Sequence, residues 1–161
     1  MSHSWNDFGD LASGVFVNEF DEDTDMATLS EISGWFSQNL GELNTLLFTS
    51  FSGSGNGAIH PKRFGLEESG IFQKLYLKHF YRKKARKVLK AIDSSVDFIS
   101  IREGDTAITR TNKNEIAKTY RALAKDSEEE LEKHVYAYNY YKAEPRQVAG
   151  DEVRAEPTGA S

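Results

Sequence analysis

Residues 66–92 read LEESGIFQKLYLKHFYRKKARKVLKAI, and two patterns run through them. Ile71, Phe72, Leu75, Tyr76, Phe80, Ala85, Val88, Leu89 and Ile92 recur at helical steps, which places an apolar face on one side of a long α-helix. The other side is basic: Lys74, Lys78, Arg82, Lys83, Lys84, Arg86, Lys87 and Lys90 occur with no acid between Glu68 and Asp93. Long cationic side chains can lie along core edges with their heads in water. Eight unrelieved charges nevertheless repel one another, so an acidic partner is expected. That partner is nucleic acid, the chain's own acidic segment, or an acidic segment of a neighbouring copy. Lys78, Arg82, Lys83, Arg86 and Lys90 are the expected contacts with its carboxylates.

Moving toward the N-terminus, Thr28 and Glu31 form a capping box. Leu29, Ile32, Phe36, Leu40, Leu43 and Leu47 follow as a helical stripe, with Trp35 and Leu46 beside it. This predicts one helix from Leu29 that fades at Thr49-Ser50. Ser52-Gly53-Ser54-Gly55-Asn56-Gly57 reads as a flexible loop closed by His60-Pro61. It is no phosphate-binding loop, because no Gly-Lys-Ser/Thr follows and no strand precedes it.

Toward the C-terminus, Val96–Ile101 has strand propensity, Arg102-Glu103-Gly104-Asp105 reads as a turn, and Thr106–Thr109 returns. A short β-hairpin is expected near 96–110, with Gly104 and Asp105 as its turn residues and Gly104 in a conformation costly for other residues. Two strands are marginal alone, so the hairpin should pack on the helices or pair with another subunit. A third helix is expected from an Asn112 cap to about Ala143, ended by Pro145, with Ile116, Tyr120, Leu123, Ser127, Leu131, His134/Val135 and Tyr138 on one face. Tyr136, Tyr138, Tyr140 and Tyr141 crowd its last turns. One helix cannot bury four tyrosines on one side, so Tyr138, Tyr140 and Tyr141 are expected at another helix or another chain.

The formal net charge is -5, unevenly spread. Residues 1–25 carry seven carboxylates and no Lys or Arg, residues 144–161 carry -2, and the body 26–143 is left at +4. The division expected is an acidic N-terminal arm (1–25), a helical domain (26–143) and an extended C-terminal tail (144–161). The arm also holds aromatics, for which a purely solvating tail has no use. Trp5, Phe8, Phe16 and Phe20 are expected to anchor it on a neighbouring chain rather than on its own core. The fold class that follows is mainly α: a bundle of three principal helices, a short β-hairpin and extended arms at both ends.

The chemistry of catalysis is not in evidence along the chain. It has no cysteine, which excludes disulfides, thiolate metal sites and a cysteine nucleophile. The histidines at 3, 60, 79 and 134 have no metal-site spacing. Asp21-Glu22-Asp23-Thr24-Asp25 lacks the glycine and closing glutamate of an EF-hand loop. No G-x-S-x-G motif occurs. No run approaches the roughly 20 apolar residues of a membrane span, and the N-terminus has no basic segment leading into an apolar one. The expectation is no enzyme, no cofactor, no metal and no membrane, with synthesis in the cytoplasm.

Ser100-Ile101-Arg102-Glu103-Gly104-Asp105-Thr106, placed after a basic helix and before another helix, resembles the corresponding phrase of the head–tail connector (adaptor) proteins of tailed bacteriophages. The architecture of that family is similar over residues 28–143. The resemblance implies a virion structural protein: a subunit of a homo-oligomeric, dodecameric ring in the neck, between portal protein and tail or neck proteins. DNA would pass through its channel without sequence-specific binding. The alternative from the residues alone is a soluble regulatory or adaptor protein that binds nucleic acid or an acidic partner through the basic helix 74–90.

Overall fold

In a computed structural model of the chain, residues 4–61, 64–94 and 105–143 are described, with side chains at all of these but 91–94 and 105–113. The chain is mainly helical with one small antiparallel sheet. In order come α1 (Phe8–Asn18), α2 (Leu29–Gln38), α3 (Leu40–Leu47), β1 (Ser52–Gly53), β2 (Ile59–His60), α4 (Leu66–Ser94) and α5 (Asp105–Ala143).

The segment expected to be a free arm is part of the core, and this corrects the sequence reading. Asp7 caps α1, its Oδ1 accepting from the N–H groups of Gly9 and Asp10 at 2.8 and 3.2 Å. Phe8, Leu11, Ala12 and Val15 then fall at i, i+3, i+4 and i+7 and are all buried. Phe20, just beyond the helix, is 3% exposed and stacks on Phe80 at 4.6 Å between centroids. Phe8 and Phe20 are therefore anchors on their own chain. Phe16 packs on the edge of the same core, and Trp5 is half-exposed. The seven carboxylates do not prevent this, because Glu19, Asp21, Glu22, Asp23 and Asp25 sit in the exposed α1–α2 loop.

The capping box at Thr28 forms as expected: the Glu31 N–H donates to Thr28 Oγ1 at 3.3 Å, and the Thr28 N–H donates to Glu31 Oε2 at 2.9 Å. The helix does not run through to Leu47. At Asn39 both the backbone N–H and Nδ2 donate to the carbonyl of Trp35, at 3.0 and 2.9 Å. A side chain that competes for the helix's own carbonyl stops the helix. The stripe still serves one core, since Ile32, Phe36, Leu40, Leu43 and Leu47 are all buried. Phe48 ends α3 in the left-handed region (φ 54°) with its ring 87% exposed.

The glycine-rich stretch is ordered, against expectation. Ser52 pairs with His60 and Gly53 with Ile59. The pair clamps the N-terminal segment: the Phe8 N–H donates to the Gly57 carbonyl at 2.9 Å, and the Ile59 N–H to that of Asn6 at 2.7 Å. Glycine is required twice. Gly57 has φ 90°, and a Cβ at Gly53 would lie 2.8 Å from the Phe8 ring.

Helices α4 and α5 form a long antiparallel pair. Tyr138 meets Glu68, Glu130 meets Lys74, and Tyr120 stacks on Tyr81. At 39 residues, α5 is about 58 Å long at 1.5 Å per residue. Among its described side chains the buried ones are Ala117, Ala124, Leu131 and Tyr138, a row at steps of seven. The expected face holds at Leu131 and Tyr138, but Ile116 and Leu123 are exposed while the alanines beside them are buried. Close approach of two helices favours the small residue at the contact and leaves the larger one on the flank. Tyr138 is an intrachain core residue, not a contact with another chain, whereas Tyr140 and Tyr141 are exposed. The returning strand expected at Thr106–Thr109 is helical, and Asp105 opens α5. Val96–Ile101, Gly104 and the tail 144–161 lie outside the described residues.

Candidate functional site: a cationic groove between the long helices

The antiparallel pairing sets charged residues of α4 opposite those of α5 and leaves a groove of about 640 Å³ between them. Leu75, Ala85, Leu89 and Ala124 give it apolar surface. Lys78, Arg82 and Arg86 project from α4, and Arg121 and Lys125 from α5. Two carboxylates line it, Glu42 of α3 and Glu128 of α5.

Glu128 is already engaged. Its Oε2 lies 2.7 Å from Arg82 Nη2 and its Oε1 3.4 Å from Lys78 Nζ. Partial burial alone would push its carboxyl up. The hydrogen bond from Arg82 and the charges of Lys78 and Arg82 outweigh this and hold it below the usual carboxylate range. Further along, Lys74 Nζ pairs with Glu130 at 3.1 Å. The carboxylates expected for Lys78 and Arg82 are thus the chain's own, on α5, and the expectation of a partner's carboxylates is corrected for those two residues. The antiparallel return of α5 supplies them, a contact invisible from the spacing of α4 alone.

A surplus of positive charge remains. Among the described side chains, Arg86 and Arg121 have no carboxylate within 4.0 Å, and Lys125 has only Glu129 of its own helix at 4.0 Å. His79 records the field. Burial lowers its pKa, and the charges of Arg86 and Lys83 lower it further against the opposing effect of Glu42. Its ring also stacks on Trp35 at 5.4 Å.

Lys83 lies on a different flank of α4. With Lys84 and Lys87 it lines a smaller cleft of about 260 Å³ that also contains Asp25 and Glu31. Lys90 is exposed beyond both. The five expected cations are therefore divided between two flanks rather than gathered into one face. Sequence reading missed Arg121, Lys125 and Glu42. Arg121 and Lys125 stand one turn apart on α5, but only the pairing of the long helices brings them opposite Arg86.

Among the described residues, no three His, Asp or Glu side chains are grouped to hold a metal ion, and no helix is long and apolar enough to cross a membrane. No family model, no curated protein and no solved structure matches the chain.

Proposed function

We propose that the chain is a structural subunit that works by self-assembly: a head–tail connector of a tailed bacteriophage, repeated in a ring between portal and tail around the DNA channel. The observation that carries assembly is the outer surface of α5. Tyr136, Tyr140 and Tyr141 are exposed together on its last turns, Tyr136 stacked on Tyr140 at 6.2 Å, and Ile116 and Leu123 are exposed separately toward its N-terminal part. Large apolar groups gathered on a surface mark contacts with other chains. The phrase Ser100–Thr106 supports the connector identity. On this reading the three-part bundle of α2–α3, α4 and α5 is the unit repeated around the ring. Light scattering after size exclusion, with negative-stain microscopy, tests it. Discrete rings, and co-purification with a portal protein, are expected. A protein that stays monomeric across the concentration range overturns it.

The surplus cations of the groove favour a second reading, in which the α4–α5 pair binds nucleic acid or an acidic protein. Binding of duplex DNA with a steep loss of affinity as salt rises would select it. Salt-independent or absent binding would discard the nucleic-acid form.

A further inference from the structure

The groove and the acidic α1–α2 loop are complementary in charge, yet within one molecule none of the loop's residues lines the groove. The loop presents Glu19, Asp21, Glu22, Asp23 and Asp25, all exposed, with no Lys or Arg among residues 1–25. The groove sets five Lys and Arg residues against two carboxylates, and one of those, Glu128, is already bridged twice. The loop is anchored beside Tyr76 and Phe80, where Phe20 packs and Asp25 faces the Lys83–Lys87 flank. The groove is on the flank that bears Lys78, Arg82, Ala85 and Leu89. The two clefts meet only at His79 of α4.

The loop is also held ready. Asp21 and Glu22 both take positive φ, 49° and 62°, and the Glu22 N–H donates to the Phe16 carbonyl at 2.9 Å. With Phe20 buried beneath them, the carboxylates are presented on a fixed backbone, which reduces the ordering cost of binding.

We propose that the groove between α4 and α5 receives the acidic α1–α2 loop of a second copy of this chain, joining copies head to tail. The inference rests on the self-assembly reading and specifies its contact. A contact between two different patches leaves the joined pair with one groove and one loop still free, so it propagates. It closes into a ring where the rotation between copies permits.

Charge reversal in the full-length chain tests it. One variant carries Arg86→Glu with Arg121→Glu, the other Asp21→Lys with Asp23→Lys. All four side chains are at the surface or groove rim, and circular dichroism checks that each variant is folded. Light scattering at low salt should give each variant alone a monomer mass, or at least a tenfold higher concentration for half-assembly. Mixing the two should restore the wild-type assembly, because each supplies the charge the other now needs. A folding defect would not be rescued by mixing. Arg86→Gln with Arg121→Gln should weaken assembly less than reversal does.

Wild-type-sized assemblies from both reversals would overturn the head-to-tail contact and leave self-assembly standing. A wild-type chain that never assembles overturns both. Unchanged assembly, with loss of binding to a duplex DNA oligonucleotide in the groove variant, would assign the groove to nucleic acid and overturn the proposal.

Discussion

Glu68 is a carboxylate almost wholly removed from water, at 6% exposure, and its surroundings show why that is tolerated. Its Oε1 accepts from Tyr138 Oη at 2.8 Å and its Oε2 from the Gly65 N–H at 3.0 Å. It also lies in the first turn of α4, where the helix dipole favours negative charge. Replacing Tyr138 by Phe leaves one buried oxygen without that donor, at an expected cost of about 1–3 kcal/mol. Urea unfolding of Tyr138→Phe measures this, and an unchanged midpoint would show that the bond contributes nothing net. His79 gives a pH dependence. Its folded pKa is lowered, by burial first and then by Arg86 and Lys83. The unfolded chain takes up the proton below its ordinary value of about 6.5, while the folded chain still refuses it. Stability should therefore fall as pH drops below about 6.5 and stop falling, for this group, once pH passes the lower folded value. His79→Gln should flatten that fall below about pH 6.5. A variant profile parallel to wild type would exclude His79 as its source.

Among the elements, α5 makes the sharpest demand on side-chain size. Its buried row places Ala117 and Ala124 where α4 passes, and Leu131 and Tyr138 where the rest of the core widens the space. Ala117→Leu should cost about 1–3 kcal/mol through overpacking, measurable as a lowered denaturation midpoint, whereas Leu123→Ala on the exposed flank should change little. How far such elements could be read in advance depended on what each one packs against. The span of α4 and the capping box of α2 were legible because apolar spacing and local hydrogen bonds lie within the segment itself. The break at Asn39 was not, since it turns on one amide donating backward to Trp35. On α5 the apolar pattern points correctly to Leu131 and Tyr138 and wrongly to Ile116 and Leu123, because side-chain size does not tell which residue sits at a close helix contact. Helix α1 had its signal in plain view, Asp7 followed by Phe8, Leu11, Ala12 and Val15. The surrounding acids drew attention away from it. Half of the groove was legible as the cations of α4, but its other wall depends on where α5 returns.

At the scale of the whole molecule, α1 closes a core that α2, α3 and the base of α4 and α5 leave open. Phe8, Leu11, Val15 and Phe20 are each 5% exposed or less, and each buried side chain of this kind is worth about 1.5–3 kcal/mol. Deleting residues 1–25 should therefore abolish the cooperative thermal transition rather than merely release a tail. A truncated chain that melts as sharply as the full one, at the same temperature, would refute this. The α4–α5 pair has two unlike halves. Near Glu68 and Tyr138 it is packed by Phe72, Tyr76, Phe80 and Leu131. Past the stacked Tyr81 and Tyr120, the buried side chains among those described are Ala85 and Ala117. Opening a stretch of helix costs less where fewer apolar atoms are sealed. Amide protons of α4 should thus exchange with deuterium along a gradient, slowest around Phe72–Phe80 and progressively faster toward Lys90. A single unbroken helix would then carry two breathing rates, tight at the root and loose at the tip.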